Sequence, residues 1–236
     1  MEKINKYSKK EDYSFTMGAF PTYELILKRP ELVKVIYIHD NYHEKEELIS
    51  TLKEKNLAYE INSKVINRLA SKENTYVMGV FEKFNNSILE RSHVVLDDIS
   101  DMGNLGTILR TMNAFGIRDL ALVGNVCDIF NPKTIRASMG SIFDIRFEHF
   151  DTFDKYYDRF KENREIKLFM LSKNMEDSLR ETKKPDVFSL VFGNEGSGLP
   201  DYYEKYGTKV FIPQSDSVDS LNLTIAVGVG LYEFTR

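Results

Sequence analysis

The sequence predicts an α/β protein: a small α/β module followed by a larger one built on a parallel sheet. Three observations carry that expectation. Short apolar runs alternate with helical periodicities along the whole chain. In the second half the runs IKLFMLS (166–172), VFSLVFG (187–193) and KVFIP (209–213) are almost continuously apolar, as strands covered on both faces must be. A polar stretch, KFNNSILERS (83–92), interrupts the alternation once and marks a boundary between modules.

Residues 1–15 are polar and are expected to fray. YELILKR (23–29) has a helical spacing, and the β-branched run VKVIYIH (33–39) reads as a buried strand. EKEELISTLKEKN (44–56) places Leu48, Ile49 and Leu52 on one helical face and ends in Asn. LAYEIN is a short strand, SKVINRLAS a helix with Ser63 as N-cap, and TYVMGVFE a closing strand. Together they form an αβαβαβ module within residues 1–85, and 86–92 is the expected linker. HVVLDD (93–98) opens the second domain, 93–236, as a strand. NLGTILRTMNAFG (104–116) is a helix stopped by Gly116, and LALVG (120–124) is a strand. NPKTIRASMGSIF (131–143) is a helix capped by Asn131, with Pro132 where a missing N–H does no harm. FDKYYDRFKEN is amphipathic, and SLNLTIAVGVGLYEFTR (220–236) closes the chain as an apolar helix.

Composition narrows the functional classes. With 42% hydrophobic and 29% charged residues in 236, the chain reads as globular, with enough length for a substantial core. No apolar run approaches the roughly 20 residues that span a bilayer, and the charged N-terminus lacks an apolar signal segment, so no membrane is expected and a cytoplasmic location is. The single Cys127 excludes an internal disulfide, and four histidines without ligand spacing give no metal site. The net charge of −4 argues against coating nucleic acid by bulk attraction. Residues 1–90 hold 14 basic and 14 acidic side chains, so any RNA patch is expected to be local, with a shallow salt dependence.

The stretch VFGNEGSGLP (191–200) leaves a buried strand at its C-terminal end, where open parallel sheets bind ligands. Its GxxGxG spacing is neither the GxGxxG of a dinucleotide fold nor a P-loop, and Glu195 would repel a pyrophosphate. A ligand without phosphates suits it better. Two other polar junctions share its character. DDISDMGNLGTILRTMNAFG places Asn104, Gly106 and Arg110 at a strand-to-helix turn, and IPQSDSVDSLNLTIAVG places Ser220 and Asn222 at a helix start.

The order NxGxxxR, FGNEGxGL, IPxxxxxxSLNxxxA resembles the three motifs of the SpoU (TrmH-type) RNA 2′-O-ribose methyltransferases of the SPOUT superfamily, and RASMGSIF (136–143) is similar to the family's intervening pattern. The likeness covers residues 93–236. The first module is similar, through GAFPTYELI and YVMGV, to the small ribosomal-protein-like RNA-binding domain that precedes many such catalytic domains. Gln214 and Asp216 depart from the family's usual Met and Gly. The resemblance implies a SPOUT domain with a C-terminal trefoil knot, S-adenosyl-L-methionine as methyl donor, a homodimer through that domain, and RNA as substrate, rRNA before tRNA.

It also implies roles. Gly193, Gly198, Ile212, Leu221 and Leu171 would hold the cofactor. Arg110, Asn104, Glu195, Ser220 and Asn222 would be catalytic, and Arg136 and Ser138 would meet RNA. A guanidinium stays protonated, so Arg110 suits holding a phosphate and stabilising an alkoxide better than acting as a base. Asn104 can cap its helix or position Arg110. Glu195 can orient an arginine, bond a ribose or cap the next turn. Ser220 and Asn222 can cap the last helix or line the pocket. A tRNA enzyme, a ribosome-protecting resistance enzyme and a non-catalytic RNA-binding knot protein are the alternatives.

Overall fold

The computed structural model describes residues 4–70, 74–170, 178–215, 217 and 220–236. The chain divides into two compact units, residues 1–84 with 128–144, and residues 85–127 with 145–236. The helix that the sequence assigns to the second domain around 131–143 is thus counted with the first unit.

The first unit has a four-stranded sheet in the order β1–β4–β2–β3. Its strands are β1 (Tyr13–Met17), β2 (Val33–Ile38), β3 (Tyr59–Ile61) and β4 (Val77–Glu82), with helices α1 (Ala19–Lys28), α2 (Lys45–Glu54) and α3 (Ser63–Leu69) between them. Strand β1 pairs antiparallel with β4, setting Phe15 opposite Val80. It was hidden in the sequence because the segment before it is polar and Ser14 and Thr16 occupy its inward positions. Both hydroxyls are bonded. Ser14 Oγ donates to the carbonyl of Phe130 at 2.5 Å, while Thr16 Oγ1 lies 2.7 Å from Thr22 Oγ1 and accepts from Gly79 N–H at 2.9 Å. Residues 13–17 therefore do not fray; all five are buried.

The cap of α3 is Asn62, whose side chain accepts from Val65 N–H at 3.1 Å. Ser63, expected there, instead accepts from the Asp40 amide at 3.0 Å. Helix α5 (Pro132–Ala137) is capped by Asn131 as expected but stops early. Met139 (φ 49°) and Gly140 (φ 79°) turn left-handed before a 3-10 turn over Ser141–Asp144. A Cβ on Gly140 would lie 2.5 Å from Glu24 Cβ, so this bend lets α1 approach closely.

The second unit is a six-stranded, all-parallel sheet. Its strands are β5 (His93–Asp97), β6 (Asp119–Val123), β7 (Arg146–Phe150), β8 (Glu165–Phe169), β9 (Phe188–Phe192) and β10 (Thr208–Val210), in the order β10–β8–β9–β5–β6–β7. Edge strand β7 is an addition to the sequence reading; in RFEHF only Phe147 and Phe150 are buried, so it has neither a strict alternation nor the continuous apolar signal. Helices α4 (Met102–Ala114), α6 (Phe153–Phe160) and α7 (Leu223–Thr235) flank the sheet. Phe153, Tyr156 and Phe160, spaced three and four apart, are the buried face of α6. The expected linker is anchored: Ile88 is buried, and its N–H donates to Glu148 at 3.1 Å.

Register decides where a ligand can sit. Leu96 and Phe169 both pair with Phe192, and Val210 pairs with Phe169. The C-terminal ends of β5, β9, β8 and β10 are therefore level, and the loops that leave them emerge at one edge of one sheet.

Candidate active site

A pocket opens at that edge. Phe169 and Met170 come from the end of β8, Phe192 to Glu195 from β9, Val210 to Ile212 from β10, and Ser220 and Leu221 from the turn before α7. Phe169 and Phe192 stack with centroids 4.4 Å apart. Helix α7 can lie against them because Gly230 has no side chain; a Cβ there would be 2.9 Å from Phe169. Among the described residues Glu195 is the one charged residue in the lining, and no lysine or arginine contributes to it.

The three loop glycines have different physical reasons. A Cβ on Gly193 would lie 2.4 Å from the carbonyl carbon of Gly198, so the strand end and the returning loop touch backbone to backbone. Gly198 takes φ 67°, which disfavours side chains. Gly196 is exposed and meets no such restriction. Asn194, a residue the sequence reading passed over, holds the loop together. Its Oδ1 accepts from Gly196 N–H (2.9 Å) and Ser197 N–H (3.2 Å), its carbonyl accepts from Gly198 N–H (2.9 Å), and its Nδ2 donates to the Asp98 carbonyl beyond β5 (2.9 Å). A lone Asn between two glycines was the available signal.

Glu195 reaches across to α4. Its carboxylate accepts from Asn104 Nδ2 (3.2 Å), Asp101 N–H (3.3 Å) and Ser100 N–H (3.4 Å). Burial alone would raise its pKa, but the hydrogen bonds from its own backbone, Asn104, Asp101 and Ser100 outweigh that and hold it below the ordinary range. Glu195 is therefore a fixed anion that clasps the first turn of α4 and orients an asparagine, not an arginine. The cap of α4 is Asp101, whose side chain accepts from Asn104 N–H at 2.8 Å. Asn104 lies inside the helix and is not its cap.

Of the expected site residues, Gly193, Gly198, Ile212, Leu221, Glu195 and Ser220 line the one pocket, and Asn104 is joined to it through Glu195. Asn222 caps α7, accepting from Thr224 N–H at 2.9 Å. Arg110 is exposed on α4 and makes no hydrogen bond or ion pair among the described residues. Six positions from Asn104, it projects about 120° away around the axis, so the two do not share a face of α4. Ser138 is fully buried, its hydroxyl donating to the Ile135 carbonyl at 2.8 Å, which withdraws it from RNA. Arg136 and Ser138 belong to the first unit. Leu171 and Asp216 lie outside the described residues. Gln214 lines the pocket.

Comparison with known proteins converges on one family. The profile described as the SpoU rRNA Methylase family matches residues 91–232. Over 143 residues the chain is 30% identical to a Bacillus subtilis protein named 23S rRNA (guanosine(2553)-2′-O)-methyltransferase RlmP, covering 60% of this chain and 57% of that one. The chain spans little more than half the length of the curated relatives it matches. A solved rRNA methyltransferase from Sinorhizobium meliloti with AdoMet bound superposes with a TM-score of 0.74 at 30% identity, covering 94% of this chain and 86% of the other. A structure described as giving insight into 2-OH methylation of C/U34 on tRNA superposes with a TM-score of 0.57 at 30% identity, over 62% of this chain and 95% of its own.

Proposed function

We propose that this chain, which belongs to the SpoU rRNA Methylase family, methylates a ribose 2′-hydroxyl of RNA using S-adenosyl-L-methionine. The observation that carries this reading is the pocket at the level strand ends: apolar walls, close-packed glycine backbone and, among the described residues, one carboxylate and no cationic side chain in its lining. Such a lining fits an adenosine that carries a positively charged sulfur and no phosphate. When bound, that donor supplies a methyl group on a good leaving group.

The chain's own residues then have distinct tasks. Phe169, Phe192, Ile212 and Leu221 pack against the adenosine part of the ligand and exclude water from it. Gly193 and Gly198 let the backbone approach it. Glu195 and Asn104 fix the start of α4 against the glycine loop, so that the reacting groups are aligned. Ser220 faces the same pocket, and Asn222 holds the α7 terminus beside it. Arg110 grips the phosphate next to the reacting sugar and stabilises the developing alkoxide.

Ribosomal RNA is the favoured substrate. The rRNA-methyltransferase likeness extends over both units, whereas the tRNA-related structure matches 62% of this chain. The protein would act in the cytoplasm as a homodimer: Ile225, Val229 and Tyr232, spaced four and three apart on α7, are 54%, 36% and 57% exposed, an apolar stripe suited to a second copy.

The test is transfer of labelled methyl groups from S-adenosylmethionine to unmodified rRNA and to tRNA. The expected product is label in rRNA as an alkali-resistant dinucleotide. Absence of cofactor binding at millimolar concentration would remove the reading.

A further inference from the structure

The first unit contains a cleft whose charge is opposite to that of the chain. Its floor is Met17, Leu69 and Pro132, and its cations are Lys6, Lys133 and Arg136. Among the described residues no aspartate or glutamate contributes to the lining, although the whole chain carries −4. Lys133 and Arg136 are three residues apart on α5 and so are neighbours on one helix face. Asn131, also in the lining, fixes that helix by accepting from Lys133 N–H at 3.0 Å; its amide NH2 makes no hydrogen bond among the described residues. Lys6 and Arg136 form no ion pair among the described residues. Tyr7 completes the wall. Its hydroxyl donates to Asp128, and Lys83 Nζ lies 4.9 Å from its ring centroid, so the ring is held in place.

An apolar floor beside an aromatic ring, with several cations and an unused amide donor, matches the parts of one nucleotide: base, phosphate and base edge. A paired base cannot enter a cleft, so the nucleotide must be unpaired. We propose that this cleft binds a single unpaired nucleotide of the RNA substrate, with its phosphate against Lys6, Lys133 and Arg136 and its base on the floor of Met17, Leu69 and Pro132. The proposal rests on the reading of the chain as an RNA methyltransferase. It adds a contact that recognises RNA away from the reacting sugar, built by the first unit and its returning helix α5.

The test uses the full chain and fluorescence anisotropy with a labelled single-stranded RNA of about 12 nucleotides, the same sequence as a duplex, and AMP as competitor, over a range of KCl. The comparison is wild type against Lys6→Ala/Arg136→Ala, with Lys6→Arg/Arg136→Lys as the conservative variant. The expected result is preference for the single strand and a loss of about tenfold or more in the alanine variant, with the log–log salt slope falling by about 0.7 for the one lost phosphate contact. The conservative variant should restore most of the binding, and S-adenosylmethionine affinity should stay within about twofold. Equal binding by wild type and alanine variant, equal binding of duplex, or full competition by AMP at micromolar concentration would overturn the proposal. A wild type that binds no S-adenosylmethionine would remove the methyltransferase reading, and the variant's effect on RNA would still be read independently.

Discussion

Asn104 Nδ2 donates to the Glu195 carboxylate at 3.2 Å, across 91 residues of sequence. This bond and the two backbone N–H groups beside it tie the first turn of α4 to the glycine loop. Glu195→Ala removes an acceptor of four hydrogen bonds, from Asn104 Nδ2, the Asp101 N–H and the N–H and hydroxyl of Ser100, and leaves their donors without it. The expected outcome is about tenfold weaker cofactor binding by calorimetry and a fall of several degrees in Tm, in line with the roughly 1.5–3 kcal/mol of hydrogen bonds to a charged group, reduced by partial exposure. Glu195→Gln, which keeps an acceptor, should lose less.

Gly193 and Gly196 make a matched pair. Gly193→Ala drives a Cβ into the Gly198 carbonyl and should cost about 2–4 kcal/mol in a denaturant melt, along with cofactor affinity. Gly196→Ala meets only a side-chain oxygen at 3.5 Å and should change stability by no more than about 0.5 kcal/mol.

Arg110→Ala should lower kcat for methyl transfer by about 100-fold or more while cofactor affinity stays within about twofold. Its exposed position outside the pocket predicts that separation. Single-turnover kinetics with calorimetry checks it, and unchanged turnover would take Arg110 out of the mechanism.

His93 gives a pH signature. Its ring is buried, with Nε2–H donating to the Leu89 carbonyl at 2.6 Å and Nδ1 accepting from Arg164 at 2.7 Å, which defines the neutral tautomer. Burial first, then the Arg164 charge, lowers its pKa to about 4. The unfolded chain binds the proton near pH 6.5, so the unfolded state is favoured as pH falls. Stability is full above about 6.5 and should drop by about 3 kcal/mol as pH falls towards 4. Denaturant melts of wild type and His93→Gln should show a flatter dependence in the variant.

The proposed homodimer predicts that Tyr232→Glu with Ile225→Glu lowers the mass measured by light scattering after gel filtration to that of a monomer, with the far-UV spectrum unchanged; a wild type that is itself monomeric would remove the dimer. Both side chains are more than half exposed within one chain, so folding alone does not require them to be apolar.

The strands of the second unit were legible because burial on both faces leaves a one-dimensional record: VFSLVFG and KVFIP can hardly be anything else. The glycine loop was legible as a candidate site because it follows such a strand. Strand β1 was not, since its inward Ser14 and Thr16 are satisfied by groups distant in sequence, including Phe130 and Gly79. The premature end of α5 was equally hidden: Met139 adopts a positive φ that a non-glycine seldom takes. For the candidate site, residue identities pointed to loops that meet at one pocket but not to their pairings. Glu195 could have met an arginine, a ribose or a helix end. Only the level register of the strand ends brings it to Asn104, and no local spacing encodes a distance across 91 residues.

The hydrogen bonds of Asn194 carry a kinetic meaning. Because its side chain and carbonyl already satisfy Gly196, Ser197 and Gly198 and reach Asp98, the loop has its shape before any small molecule arrives. Capture should then be a one-step encounter, with an observed rate rising linearly with concentration and no plateau from a slow rearrangement. Replacing Asn194 by Ala would turn that straight line into a saturating curve.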